Sequence, residues 1–239
     1  MKMFGKKENP LVKFVTTIEG LDQIDECLPK PSNKFIPQWW KDVPYPKNDP
    51  IGNVKICPSF TDYFSQGFIV PMWTDTLLRL DKENNRWGFS TRLEHFSWEF
   101  HPESQALDYV DMSVRDNVVS GVFKANCPWQ IITPKGYSVL QIPLFYHFNQ
   151  DFSVMPGIID TDIHHQINQQ VLFHSDKEEI FIPRGTPFVQ YIPFERKKYN
   201  GFVGLANDED KKKMNKDSLN MLSKFLGSGQ YRKDQIKNK

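Results

Sequence analysis

The feature that most constrains the fold is a series of short apolar segments bounded by proline or glycine. The clearest are residues 127–143, 157–165 and 180–194, which are rich in β-branched and aromatic residues. Each segment is too short and too often interrupted for a helix, whereas strands of a sandwich or barrel have this length and punctuation. We therefore predict an all-β fold, a sandwich of the jelly-roll or double-stranded β-helix type.

The aromatic content supports the same fold class. The 239 residues include 19 Phe, 8 Tyr and 6 Trp, and aromatic rings pack well on a pleated surface. The chain is long enough to bury a full core. We predict a flexible N-terminus over residues 1–10 and one β-sandwich domain over residues 11–204. Within that domain residues 21–50 form a proline-rich wrapping arm, and residues 205–239 form an amphipathic helix with a basic tail.

Strand patterns recur through the first half of the chain. Residues 76–81 and 86–90 predict a β-hairpin with a four-residue loop. Further strands are predicted at residues 11–18, 54–56, 68–73, 98–100 and 118–124. Cys57-Pro58 and Cys127-Pro128 are each followed by a glycine and a strand that begins with an aromatic residue. This recurrence could come from duplication of one half of a jelly roll, or it could have arisen by chance.

Charge and cysteine usage narrow the function. The net charge of +1 argues against a nucleic-acid partner, which needs a concentrated basic excess. Residues 195–239 nevertheless carry twelve Lys/Arg against six Asp/Glu, which leaves about −5 on residues 1–194. The three cysteines read as reduced thiols. Without an apolar run of membrane-spanning length or a signal peptide, we expect no membrane partner and an intracellular site of synthesis.

A metal site is the main catalytic hypothesis. On a strand, Asp160, Asp162 and His164 would share one face, with His147 and His174 on neighbouring strands. Such a set would suit iron or another divalent metal in a jelly-roll enzyme resembling the non-haem iron oxygenases. The order Asp-x-Asp-x-His departs from the usual His-x-Asp of that triad, and the alternative is that the two aspartates cap turns.

Binding functions have their own candidates. Trp39 and Trp40 either seal the proline-rich arm or form an exposed recognition pair, and Leu222 and Phe225 lie on the apolar stripe of the C-terminal helix, which covers the sheet or a partner. A carbohydrate-binding module would need an exposed row of aromatics, for which the candidates are Trp73, Trp87 and Trp98. The sequence has no Gly-x-Ser-x-Gly motif and no phosphate-binding glycine loop, so catalytic residues and nucleotide cofactors are not predicted from motifs.

Several short motifs follow one another along the chain. They are Ile-Pro-Gln-Trp-Trp-Lys at 36–41, Lys-Ile-Cys-Pro at 55–58, Gly-Phe-Ile-Val-Pro at 67–71, Thr-Pro-Lys-Gly-Tyr-Ser at 133–138, Gly-Ile-Ile-Asp-Thr-Asp at 157–162, Pro-Arg-Gly-Thr-Pro-Phe at 183–188 and Ile-Pro-Phe at 192–194. In this order they resemble a family of uncharacterised proteins from bacteria and from tailed phages of marine bacteria. The family has no assigned activity, and its pattern does not require histidine after Asp162.

The resemblance implies a phage-type structural or accessory protein, a component of the virion, its assembly or its interaction with the host. Its expected location is the cytoplasm of the host cell or the virion. Such a protein acts through protein partners or as a homo-oligomer, without a cofactor. The metal-dependent enzyme and the carbohydrate-binding module remain the alternatives.

Overall fold

The computed structural model describes residues 10–46, 53–84, 86–92, 98–101, 105, 108, 122–175 and 177–215. Contacts divide the chain into two compact units. The first unit comprises residues 1–35 and 66–196, and the second comprises residues 36–65 and 197–239.

Antiparallel strands build the first unit, which confirms the predicted all-β sandwich. The strands are β1 (Lys13–Thr16), β2 (Lys30–Pro31), β3 (Phe68–Pro71), β4 (Thr76–Asp81), β5 (Arg86–Thr91), β6 (Trp98–His101), β7 (Val122–Ile132), β8 (Tyr137–Ile142), β9 (Phe152–Val154), β10 (Gly157–Ile159), β11 (Gln166–Phe173), β12 (Glu179–Ile182) and β13 (Pro187–Glu195).

Two five-stranded sheets and one three-stranded sheet result. The first sheet has the order β1-β7-β11-β9 with β6 also paired to β7, and the second has the order β10-β8-β13-β3-β2. Strands β12, β4 and β5 form the small sheet. From β7 to β11, consecutive strands alternate between the two large sheets. This alternation is the winding expected of a jelly roll.

The core lies between sheets whose strands bury every second residue. Along β7 the alternating positions from Phe123 to Ile131 are buried, and along β11 those from Ile167 to Phe173 are buried. This period of two is the one that a strand with one covered face requires. Aromatic rings join the two large sheets, as where Phe152 of β9 lies 5.5 Å from Phe188 of β13.

A chain of buried polar side chains runs through the same core. Gln169 donates to the hydroxyl of Tyr191 at 2.7 Å, and that hydroxyl donates to Gln141 at 2.9 Å. Gln141 then donates to the carbonyl of Met155 at 2.8 Å. Because burial makes an unpaired polar group costly, this chain fixes how β11, β13 and β8 face one another.

Among the described residues, the α-helices lie in the second unit. They are α1 (Gln38–Asp42), α2 (Pro58–Phe64) and a helix over residues 208–215, and the same unit has a 3₁₀ turn at Val54–Ile56. The first unit adds 3₁₀ turns at Leu21–Gln23, Asp25–Cys27, Ser32–Lys34 and Phe145–His147. Across the described part of the chain, no helix has the length and apolar character that crossing a membrane requires.

The predicted hairpin is confirmed, since Asp81 pairs with Arg86 across the loop. The predicted strand at residues 54–56 is wrong: the Asn53 side chain accepts a hydrogen bond from the Lys55 amide and starts a 3₁₀ turn there. The recurrence of Cys-Pro is not structural either. Pro58 occupies the first turn of α2, whereas Pro128 lies inside β7, where the pairing with β11 shifts register between Gln166 and Asn168. A register shift accommodates a proline that cannot donate a ladder hydrogen bond.

Candidate functional site

An exposed aromatic cluster of the sandwich unit follows β8. Phe145, Tyr146, His147 and Phe148 form a tight turn, called here the aromatic turn, which begins after Pro143 and Leu144. The ring of Phe145 lies 5.2 Å from that of Tyr146 and 6.3 Å from that of Phe148. Phe145 is 67% exposed and Phe148 is 53% exposed. The turn therefore presents large apolar rings to solvent.

A cleft of about 440 Å³ adjoins the aromatic turn. Its apolar lining includes Leu144, Phe145, Phe148, Phe152, Pro187 and Phe188. We call it the aromatic cleft. It lies between the aromatic turn, β9 and the start of β13, and Phe152 and Phe188 are buried core residues. Its volume falls within the range typical of binding clefts, which are mostly apolar with a few polar groups.

Several polar side chains line the cleft, among them those of His147 and Ser153. The hydroxyl oxygen of Ser153, which lines the cleft, lies 2.7 Å from Nε2 of His174. His147 also lines the cleft, and burial lowers its pKa, while a hydrogen bond to the backbone of Phe35 acts in the opposite direction. A neutral imidazole and a hydroxyl can each donate or accept one hydrogen bond. The cleft can therefore orient a polar group of a bound molecule.

Phe148 adopts a conformation that costs energy. Its φ of 51° places it in the left-handed region, and among the residues that the structure describes it is the one non-glycine residue with a positive φ. For an L-residue this conformation costs about 1–2 kcal/mol. Strained residues of this kind concentrate at binding and catalytic sites, so the strain favours a functional role for the exposed ring.

The predicted acidic pair lies elsewhere in the same unit, around Arg196. The Arg196 guanidinium donates through Nη1 to Oδ1 of Asp162 at 2.8 Å and lies 3.1 Å from Oδ1 of Asp160. The amide of Gly136 donates to Oδ2 of Asp162 at 2.8 Å, and Ser138 donates to Asp160 at 2.6 Å. We call this set the Arg196 clamp, because it connects residues at the ends of β8, β10 and β13.

Charge and hydrogen bonding keep both clamp carboxyl groups ionised. The hydrogen bond from Arg196, assisted by the Gly136 amide, lowers the pKa of Asp162 to about 2. Ser138 is the main cause of the lowered pKa of Asp160, and Arg196 adds to it. Arg196 offsets one of the two negative charges that would otherwise attract a metal ion.

The predicted three-ligand face on a strand is wrong in its local structure. Strand β10 ends at Ile159, and the carbonyl of Asp160 accepts from the amides of Ile163 and His164, both at 2.9 Å, which makes a turn. The hydroxyl of buried Thr161 anchors this turn to that of Thr133 at 2.8 Å. A turn does not align alternate residues on one face, and His164 is exposed.

The predicted ligands do not come together at one site. Among the described residues, no group of three His, Cys, Asp or Glu side chains is placed to hold a metal ion. Asp160 and Asp162 belong to the Arg196 clamp, His147 lines the aromatic cleft, and His174 contacts Ser153 of that lining. The structure thus divides the predicted ligands into two places.

The residues predicted to bind a partner or a carbohydrate differ in their exposure. Trp73, Trp87 and Trp98 are 1%, 8% and 5% exposed, so the carbohydrate hypothesis loses the exposed row on which it depended. Trp40 is buried and its ring stacks on Phe60 at 5.5 Å, which excludes it from an exposed recognition pair. Trp39 is half-buried, and Leu222 and Phe225 lie outside the described residues.

Two features escaped the sequence analysis. The aromatic turn carries a visible signal, Pro-Leu-Phe-Tyr-His-Phe-Asn at 143–149, where aromatics gather after a strand-ending proline. Arg196 stands directly after the last strand, but nothing in its local sequence shows which carboxylates it meets. That contact spans 34 residues of chain.

Comparison of the sequence with protein-family models and with curated proteins gives no significant match.

Proposed function

We propose that the protein is a phage-type structural or accessory protein that binds another protein through its aromatic turn and aromatic cleft. The observation that carries this proposal is the exposure of Phe145 and Phe148 beside the cleft. Burying a phenylalanine side chain is worth about 1.5–3 kcal/mol. An aromatic pair beside a concave apolar surface is the usual anchor of a protein interface.

The strain at Phe148 supports binding over packing. A ring that packs only for stability has no reason to occupy a costly backbone conformation and then remain half-exposed. The strain is compensated if the turn positions the ring for a partner, because a rigid anchor loses little conformational entropy on binding.

The phage-type assignment is supported by the ordered motifs. The turn at 133–138 supplies Gly136 and Ser138 to the Arg196 clamp, and the motif at 157–162 supplies Asp160 and Asp162. The residues by which these two motifs resemble the family therefore stabilise the sandwich. A stable sandwich that carries its binding surface elsewhere is suited to a structural or accessory component.

Mass spectrometry of virions purified from a tailed phage that encodes this chain tests the proposal. We expect the protein in the particles, or an oligomer in native mass measurements of the purified chain. A Phe145→Ser/Phe148→Ser variant should reduce incorporation. The matched control changes Phe89 and Phe181, exposed aromatics of the small sheet, to serine and should incorporate normally. A strictly monomeric protein absent from particles would overturn the proposal.

Metal analysis separates this function from the enzyme alternative. Protein purified without chelator should hold near-stoichiometric iron, zinc or manganese if Asp160, Asp162 and a histidine form a catalytic centre. Protein without bound metal, together with incorporation that depends on Phe145 and Phe148, favours the binding function.

A further inference from the structure

A second exposed apolar segment follows the last strand. Residues 199–205, Tyr-Asn-Gly-Phe-Val-Gly-Leu, are called here the apolar arm and have no helix or strand structure. Within it Tyr199 is 84% exposed, Phe202 is 87%, Val203 is 99% and Leu205 is 97%. Four large apolar side chains in seven residues are thus exposed in the part of the chain that the structure describes. Contiguous apolar surface of this kind marks an interaction site.

We propose that the apolar arm packs into the aromatic cleft of a second copy of the chain, and that two copies exchange their arms reciprocally. This inference rests on the proposed function, because it names the partner of the same cleft. Each copy offers both an apolar cleft and an exposed apolar segment. A two-fold interface satisfies both at once, since each surface meets its complement on the other copy.

Charge favours a second copy as the occupant. Residues 195–239, which contain the arm, hold twelve Lys/Arg against six Asp/Glu, whereas residues 1–194 carry about −5. Lys197 and Lys198, immediately before the arm, are exposed. The arm-bearing end of one copy is therefore attracted to the sandwich of another, and electrostatic complementarity of this kind selects partners and speeds their encounter.

The area available is sufficient for a stable pair. A buried aromatic side chain removes about 150–250 Å² from solvent, so Tyr199 and Phe202 of two arms remove about 600–1,000 Å². Val203, Leu205 and the two clefts add to that sum. The total passes the roughly 1,200 Å² at which specific interfaces begin.

The first test measures the oligomeric state of the full chain by native mass spectrometry and sedimentation. We expect a dimer, and we expect Phe202→Ser/Val203→Ser/Leu205→Ser to weaken it by more than about 100-fold. Phe145→Ser/Phe148→Ser should weaken it similarly, because it changes the other half of the same contact. Phe89→Ser/Phe181→Ser is the control and should leave the dimer intact. A dimer that survives changes in the arm overturns the inference.

The second test fixes the two surfaces in contact. Phe202→Cys and Phe148→Cys are prepared as separate proteins, mixed and oxidised. Arm exchange predicts a disulfide-linked dimer from the mixture, with little from either protein alone. In the double variant, a disulfide confined to one chain would show that the arm covers its own cleft and would overturn exchange.

The two proposals fail in different ways. A wild-type protein that is monomeric but present in virions disproves arm exchange and leaves the binding function standing. A monomer absent from virions disproves both.

Discussion

Arg196 and Asp162 form a two-point ion pair, with 2.8 Å between Nη1 and Oδ1 and 2.5 Å between Nη2 and Oδ2. The Asp162 side chain is 5% exposed, whereas that of Asp160 is 52% exposed. The parallel geometry and the shielding from water make this the stronger of the two contacts. It connects the end of β13 to the turn after β10.

Replacing Arg196 should lower stability. Arg196→Ala leaves the shielded Asp162 carboxylate without its partner, so the melting temperature at pH 7 should fall. The melting temperature of Arg196→Lys should lie between those of Arg196→Ala and the wild type, because lysine keeps the charge but not the two-point geometry. The control is Arg79→Ala, whose ion pair with Glu179 is exposed and should contribute within about 0.5 kcal/mol. Thermal unfolding followed by circular dichroism measures all three.

The stability of the protein should depend on pH through Asp162. Its folded pKa of about 2 lies below the ordinary value of about 3.9. The unfolded chain therefore takes up a proton first, and the contribution of Asp162 is complete above pH of about 4 and lost as the pH falls towards 2. Asp162→Asn should remove this part of the acid dependence. Denaturant unfolding at a series of pH values measures it, and parallel curves for variant and wild type would contradict it.

Gly67 should tolerate no side chain. Its φ is 62°, and a Cβ there would lie 2.1 Å from the carbonyl oxygen of Tyr191. Gly67→Ala adds a left-handed alanine and a backbone clash, so we expect a loss of at least about 2 kcal/mol. Gly157→Ala is the control, since no atom lies within 4 Å of its Cβ position. Equal unfolding free energies for the two variants would show that Gly67 does not lie as close to β13 as the structure has it.

The three thiols should differ in reactivity. Cys27 and Cys127 are buried, and burial raises the pKa of both thiols, that of Cys127 to about 12. Because the thiolate is the reactive form, neither should react quickly in the native protein at pH 8. Cys57 is half-buried and should react first. A thiol-reactive dye should label one residue in native buffer and three in denaturant, with peptide mapping to identify each.

Phe148 should lower the stability of the folded protein and be necessary for binding. Asparagine accepts the left-handed conformation better than phenylalanine, so Phe148→Asn should raise the unfolding free energy by about 1 kcal/mol. The same variant removes a ring from the aromatic turn and should weaken self-association. Phe145→Asn, in the adjoining 3₁₀ turn, should weaken association without the gain in stability. A Phe148→Asn protein that is both less stable and fully associated would contradict this role.

The alternation within strands and the hairpin of β4 and β5 were predictable, because neighbouring residues alone determine them. A pattern of period two shows which side chains face a core, and a short polar loop between two such patterns specifies an antiparallel pair. The segment at residues 54–56 was not predictable, since three apolar residues fit a strand or a 3₁₀ turn equally well. One side chain, that of Asn53, decides between them.

Sequence alone thus determined that this chain forms an all-β sandwich, because strand length, apolar period and turn residues act over a few positions. It also identified Asp160, Asp162, His147 and His174 as notable, but not their neighbours. Only the tertiary structure brought the aspartates to Arg196, His147 to the aromatic cleft and His174 to Ser153 beside it. Those contacts join strands distant in the chain, and their pairing is set by how the sheets wind around one core.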